Sequence, residues 1–131
     1  MPRFTLQDAF DRAVRGLLLQ GRQSRGESPG GNVCLYRNPE GLKCVAGWLI
    51  DEEYYYKGLE HKGCDTSAVQ IAIEESGFPV RSTSELRFYL DGQEIHDNSS
   101  VASWPNAYRS LAREHGLSAA VIDEFGQGVL K

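Results

Sequence analysis

Few side chains in this sequence are equipped for chemistry. Cys34, Cys44 and Cys64 are its three cysteines, and His61 and His96 are the histidines closest to them in character and place. Thiolates and an imidazole match the tetrahedral preference of zinc, so Cys34, Cys44, His61 and Cys64 form a candidate Cys3His set. Cys34 and Cys44 stand further apart than the compact ligand pairs of structural zinc sites. The plainer reading is preferred: Cys44 as a small buried hydrophobe, Cys34 half-exposed and His61 a loop residue. A thiol also becomes a nucleophile when an imidazole takes its proton. Cys44 or Cys34, with His96 as base and Asp97 or Asp123 as orienter, is therefore a candidate catalytic trio. Of the cysteines only Cys64 precedes an expected helix, where the dipole would favour a thiolate. His96-Asp97 fits a structural role better, satisfying backbone groups at a helix end. No Gly-rich phosphate loop and no pair of carboxylates stands out, so no cofactor is expected.

A third group is built to recognise rather than react. Trp48, Tyr54, Tyr55 and Tyr56 lie beside Asp51, Glu52 and Glu53. At about 100° per helical residue, three adjacent tyrosines cannot all face inward, and at least one ring is expected in solvent. Tyr and Trp are the side chains that anchor interfaces, which makes this stretch the candidate partner-binding surface; an outward ring lying flat over the loop 59–63 is the equally weighted structural alternative.

The element that must position these groups runs from Cys34 to Ile50. Asn38-Pro39-Glu40-Gly41 supplies a side-chain acceptor, a preset φ and a residue free to go left-handed, which together spell a hairpin loop. In that register Asn38 faces Leu42, Tyr36 faces Cys44 and Leu35 faces Val45. Cys34, Tyr36, Cys44 and Ala46 then share one face, and Leu35, Arg37, Lys43, Val45 and Gly47 the other. The run 44–50 is apolar throughout and reads as a strand covered on both sides. The expected fold is thus α+β, with an N-terminal helix, a central hairpin at about 33–37 and 42–50, and mainly helices packed on it.

Around that hairpin, Thr5 and Asp8 signal a helix start, and Leu6, Phe10, Ala13, Val14, Leu17 and Leu18 recur at the spacing of one buried face. Gly21 ends it, and 21–32 reads as an exposed, mobile connection. Arg12, Arg15, Arg22 and Arg25 form the one basic concentration, read as a solvated face with its loop. Asp51 is placed to cap a short helix through the tyrosines, and Asp65 or Thr66 one running to Gly77. Segment 84–97 fits two templates: Asp91-Gly92 suggests a hairpin, whereas Ser84 with the spacing of Leu86, Tyr89, Leu90 and Ile95 suggests a helix. Trp104-Pro105 opens another helix, Gly116 closes it, Ser118 caps a last one, and the tail 126–131 is expected to fray.

With 131 residues and a formal charge of -4 from 18 acids and 14 bases, the chain reads as a single soluble domain. The charge has the wrong sign for a general DNA binder, so direct nucleic-acid binding is not expected. No apolar run matches a membrane span, the N-terminus lacks a signal-peptide pattern, and an odd number of cysteines fits reduced thiols in a cytosol.

The motif Cys34-Leu-Tyr36-Arg37, then Gly41, Lys43-Cys44 and Gly47, then Ile95-His96-Asp97 and Trp104, resembles a loose group of short uncharacterised proteins encoded by bacteriophages and prophages. In that group the segment before Ile-His-Asp is helical, which favours the helix for 84–97; Asp91-Gly92 departs from the pattern. The resemblance brings no activity, cofactor or catalytic residue. It implies a phage accessory protein acting in the cytoplasm of a bacterial host. The expected function is non-enzymatic binding and modulation of a bacterial protein or nucleoprotein machine, with inhibition of host defence as one such role. The alternatives are a small cysteine-dependent enzyme using Cys44 or Cys34 with His96, and a zinc-supported binding module.

Overall fold

The computed structural model describes residues 2–28, 31–60 and 62–126, with main chain alone at 27–28, 31–34 and 125–126. Six α-helices carry the described chain. The first, α1 (Leu6–Gln20), begins with a reciprocal cap. Asp8 N–H donates to Thr5 Oγ1 at 3.1 Å, and Thr5 N–H donates to the Asp8 carboxylate at 2.8 Å. Gly21 ends it in the left-handed region, φ 63°, its N–H donating to the Leu17 carbonyl. The expected apolar stripe is buried from Phe10 to Leu18, with Leu6 half-buried at its start.

The segment 21–32, expected to be irregular, contains part of the described chain's one sheet, an antiparallel ribbon of β1 (Arg25–Ser28) and β2 (Gly31–Cys34). It is tied down at Ser24. Leu35 N–H donates to the Ser24 carbonyl, Ser24 Oγ to the Leu42 carbonyl, and Ser24 N–H to His96.

The central hairpin is not formed, and the fold is essentially all-α rather than α+β. Its turn is present: Gly41 takes φ 87°, Asn38 N–H donates to the Leu42 carbonyl, and Asn38 Oδ1 accepts from the N–H groups of Glu40 and Leu42. Arg37 pairs with Lys43 as an isolated bridge, and Cys44 N–H donates to the Tyr36 carbonyl at 3.3 Å. There the ladder stops. Val45–Leu49 is a helix, α2, with Trp48 N–H donating to the Cys44 carbonyl. An apolar run suits a helix buried on all sides as well as a strand covered on both faces. Here α2 is wedged between α1 and α4, and a strand would have had no neighbour to receive its outer edge.

After α2 the chain makes two single 3-10 turns, Glu52–Tyr54 and Lys57–Leu59, in place of the short helix expected through the tyrosines. Then come α3 (Ser67–Glu75), α4 (Thr83–Asn98), α5 (Trp104–Glu114) and α6 (Ala120–Gly126). Segment 84–97 is therefore helical. Its cap is Ser82, paired with Glu85 in a second capping box, and not Ser84. Gly92 lies mid-helix, its carbonyl accepting from Tyr108 Oη at 3.0 Å. Helix α1 packs against α2, α5 and α6, and α4 against α2 and α5. Phe10, Phe88, Tyr89, Trp104 and Tyr108 fill the space between them. No helix among the described residues is long and apolar enough to cross a membrane.

Candidate functional site

Cys44 is the residue immediately before α2, so a thiol does stand at a helix start that the sequence did not reveal. Burial decides its chemistry. Its side chain is fully enclosed, which pushes the thiol well above its usual range against the smaller opposing effect of the Gly47 N–H. Cys64 is also buried and is pushed up to about 12, chiefly by desolvation. Both are free thiols.

His96 is enclosed at the C-terminal end of α4. Its Nε2 accepts the Ser24 N–H at 3.0 Å and its Nδ1 lies 2.8 Å from Asp97 Oδ1. Because a main-chain N–H can only donate, Nε2 must be the unprotonated nitrogen, and Nδ1 carries the proton toward Asp97. The ring stacks on Trp104, 5.6 Å between centroids. Both nitrogens are thus engaged, Nε2 in holding the ribbon segment to α4 and Nδ1 with the adjacent Asp97 carboxylate, and neither is turned to a thiol. Asp123, the other candidate orienter, pairs instead with Arg109 at 2.5 Å.

Of the zinc set, His61 and the side chain of Cys34 lie outside the described residues, and Cys44 and Cys64 are interior. A different ligand-bearing group appears where α4 meets the end of α5. One ligand atom from each of Asp91, Glu114 and His115 lies within 4.8 Å of the others. It was invisible in the sequence because two helices supply it. His115 Nε2 already faces Asp91 Oδ2 at 3.4 Å, and Arg87 approaches the other Asp91 oxygen at 3.9 Å.

The aromatic stretch divides by role. Tyr55 is structural: its Oη donates to Glu60 Oε2 at 2.5 Å, and the Arg37 guanidinium lies over its ring at 4.6 Å. Burial, and then Glu60, push its phenol up to about 12. The Glu60 carboxylate also accepts the N–H groups of Tyr36 and Arg37, at 2.8 and 3.1 Å, and so fastens the turn to the 3-10 segment. Tyr54 is half-buried against the core. Tyr56 is the outward ring, 53% exposed, with its edge over Gly58. The Glu52 side chain is 92% exposed and Glu53 is exposed beside it.

Trp48 turns the other way, into a groove of about 540 Å³ lined by Arg12, Arg15, Leu19, Arg37, Lys43 and Glu52 among others. Its indole lies so close to Gly16 of α1 that a methyl group at 16 would overlap the ring. Arg12 Nε donates to the Trp48 carbonyl at 3.0 Å, and Lys43 Nζ stands over the ring at 4.7 Å. The sequence placed Arg37 and Lys43 on one face of the turn. Their meeting with Arg12 and Arg15 depends on where α1 docks. Arg22 and Arg25 go elsewhere, to Glu40 and to the Asp97 carbonyl.

No family model matches the chain, and no solved structure matches it. Over 123 residues it is 24% identical to the tRNA modification GTPase MnmE of Pseudoalteromonas atlantica, an alignment covering 86% of this chain and 27% of the relative. The chain therefore spans about a quarter of the length of the curated relative it matches.

Proposed function

We propose that this chain is a non-enzymatic accessory protein of a phage or prophage that binds and modulates a protein or nucleoprotein machine in the cytoplasm of its bacterial host, with inhibition of host defence as one such role. The observation that carries the reading is Tyr56, a large ring held 53% exposed on the 3-10 segment beside the outward acids Glu52 and Glu53. Rings presented this way cost little conformational entropy on binding and anchor interfaces. The phage resemblance supports the setting. The thiols support a binding role over a hydrolytic one, since a nucleophile must be exposed and ionised and Cys44 and Cys64 are neither. The activity in the name of the partial relative is not carried over. No Gly-Lys dipeptide occurs in this sequence, so the Gly-rich phosphate loop that ends in Gly-Lys-Ser/Thr has no counterpart here.

Affinity purification from infected or lysogenic bacteria, comparing the natural protein with Tyr56→Ala and with Glu52→Lys, tests the reading. A host component retained by the natural protein and lost from both variants is the expected result. Equal retention by all three rules this surface out.

A further inference from the structure

We propose that the groove between α1 and α2 docks an acidic peptide segment of the partner protein, its carboxylates received by Arg12, Arg15, Arg37 and Lys43 and an apolar side chain of the same segment laid against Leu19. This deepens the binding role proposed above and rests on it. The first ground is charge. Four cationic side chains against two carboxylates line the groove, a local positive excess in a chain whose formal charge is -4. Arg15 pairs with Glu124 at 3.1 Å, both side chains about half exposed, and Arg12 and Arg37 donate to the Trp48 and Ile50 carbonyls at 3.0 and 2.7 Å, so the carboxylates that a partner would displace are surface ones. Arg12 stands 3.7 Å from Asp51, and Arg37 stands 3.6 Å from a Glu52 carboxylate that is itself 92% exposed. Exchanging such pairs for a partner's carboxylates sacrifices little. Lys43 is half-buried over Trp48, where desolvation and the repulsion of Arg37 and Arg12 favour loss of its proton against a weaker pull from Glu52. An incoming carboxylate relieves that repulsion.

The second ground is shape and polarity. Leu19, 65% exposed, forms part of the wall, an apolar contact that a purely ionic ligand would leave in water. A nucleic acid would instead need an aromatic face for its bases. Trp48 does not offer one freely, because the α1 backbone at Gly16 and the Lys43 ammonium both lie against the indole. A peptide that alternates acidic and apolar side chains satisfies both features.

The test uses the full chain with three fluorescein-labelled probes: a peptide alternating Glu and Leu, the same peptide with Gln for Glu, and a single-stranded DNA of matched charge. Anisotropy titrations at physiological salt are expected to give binding about tenfold tighter for the Glu peptide than for the Gln peptide. About tenfold should be lost in Lys43→Glu and in Lys43→Gln, and nothing in Arg81→Glu, whose side chain is 83% exposed and lies outside the groove lining. Thermal melts show whether each variant is folded. Equal affinity for the Gln peptide, indifference to both Lys43 variants, or DNA binding as tight as that of the Glu peptide overturns the proposal. A cellular partner lost by Tyr56→Ala but retained by Lys43→Glu sinks the groove while leaving the binding role intact. The converse outcome moves the interface wholly into the groove.

Discussion

Gly47 of α2 faces the main-chain carbonyl of Tyr36 so closely that a Cβ at position 47 would overlap the oxygen. That approach is what lets α2 lie against the turn while Cys44 N–H reaches the same carbonyl. Backbone cannot rotate out of the way as a side chain can, so Gly47→Ala should separate the two segments. A loss of about 3 kcal/mol in urea unfolding is expected, at the upper end of overpacking costs. Gly92 provides the contrast within one protein. A Cβ there would sit 3.6 Å from Leu111 and 3.7 Å from Val45, ordinary contacts. Gly92→Ala should stabilise by roughly 0.5–1 kcal/mol through helix propensity. Similar losses for both would show that the α2 approach does not depend on the missing side chain.

Glu60 holds the turn and the tyrosine segment together through one carboxylate. Glu60→Ala leaves two main-chain N–H groups and a phenol without their acceptor. At roughly 1–3 kcal/mol for each buried donor left unsatisfied, a loss of about 2–4 kcal/mol is expected. Amide hydrogen exchange at Tyr36 and Arg37 should accelerate with it. Unchanged exchange at these two amides would mean that the carboxylate is not their partner in solution.

How much of this was legible follows from how local each cause is. The Thr5-Asp8 cap, the Gly21 stop and the Asn38–Gly41 turn were readable because each demand is met by residues within one turn of chain. The run from Cys44 to Ile50 was misread because a sequence apolar on every side carries no period to separate a strand from a buried helix. The contact that decides it, Gly47 on Tyr36, is tertiary. The role of His96 was legible as a satisfied group at a helix end, but not its partner Ser24, which lies across the molecule. The groove was half-legible. Arg37 and Lys43 share a face in the register that the Asn38–Gly41 turn sets, whereas Arg12 and Arg15 join them only because α1 packs on α2.

Cys44 and Cys64 should resist alkylation in the folded protein. With its pKa pushed up to about 12, Cys64 has about one thiolate in ten thousand at pH 8, and enclosure slows the reagent further. Peptide mapping after iodoacetamide should find both unmodified until urea unfolds the chain. Rapid native labelling of Cys44 would revive a nucleophilic role. The same burial sets an alkaline limit. The Cys64 thiol titrates later in the folded state than at its ordinary value of 9.0, so its contribution to stability is whole below about pH 9 and declines as pH rises toward about 12. Over that window the loss from Cys64 alone is at most on the order of 4 kcal/mol. Cys44, Tyr36, Tyr89 and Tyr108 are shifted in the same direction by desolvation. Urea midpoints should therefore fall above pH 9, and less steeply in Cys64→Ala.

The binding surface itself is tested most directly by a photo-crosslinking residue placed at Tyr56 and, as control, at Ile71, which is 60% exposed on α3. Irradiation in host bacteria is expected to yield a discrete covalent adduct with one host component from position 56 and none from position 71. Adducts of equal yield from both positions, or none from 56 while the protein is folded and abundant, would contradict a partner held at Tyr56.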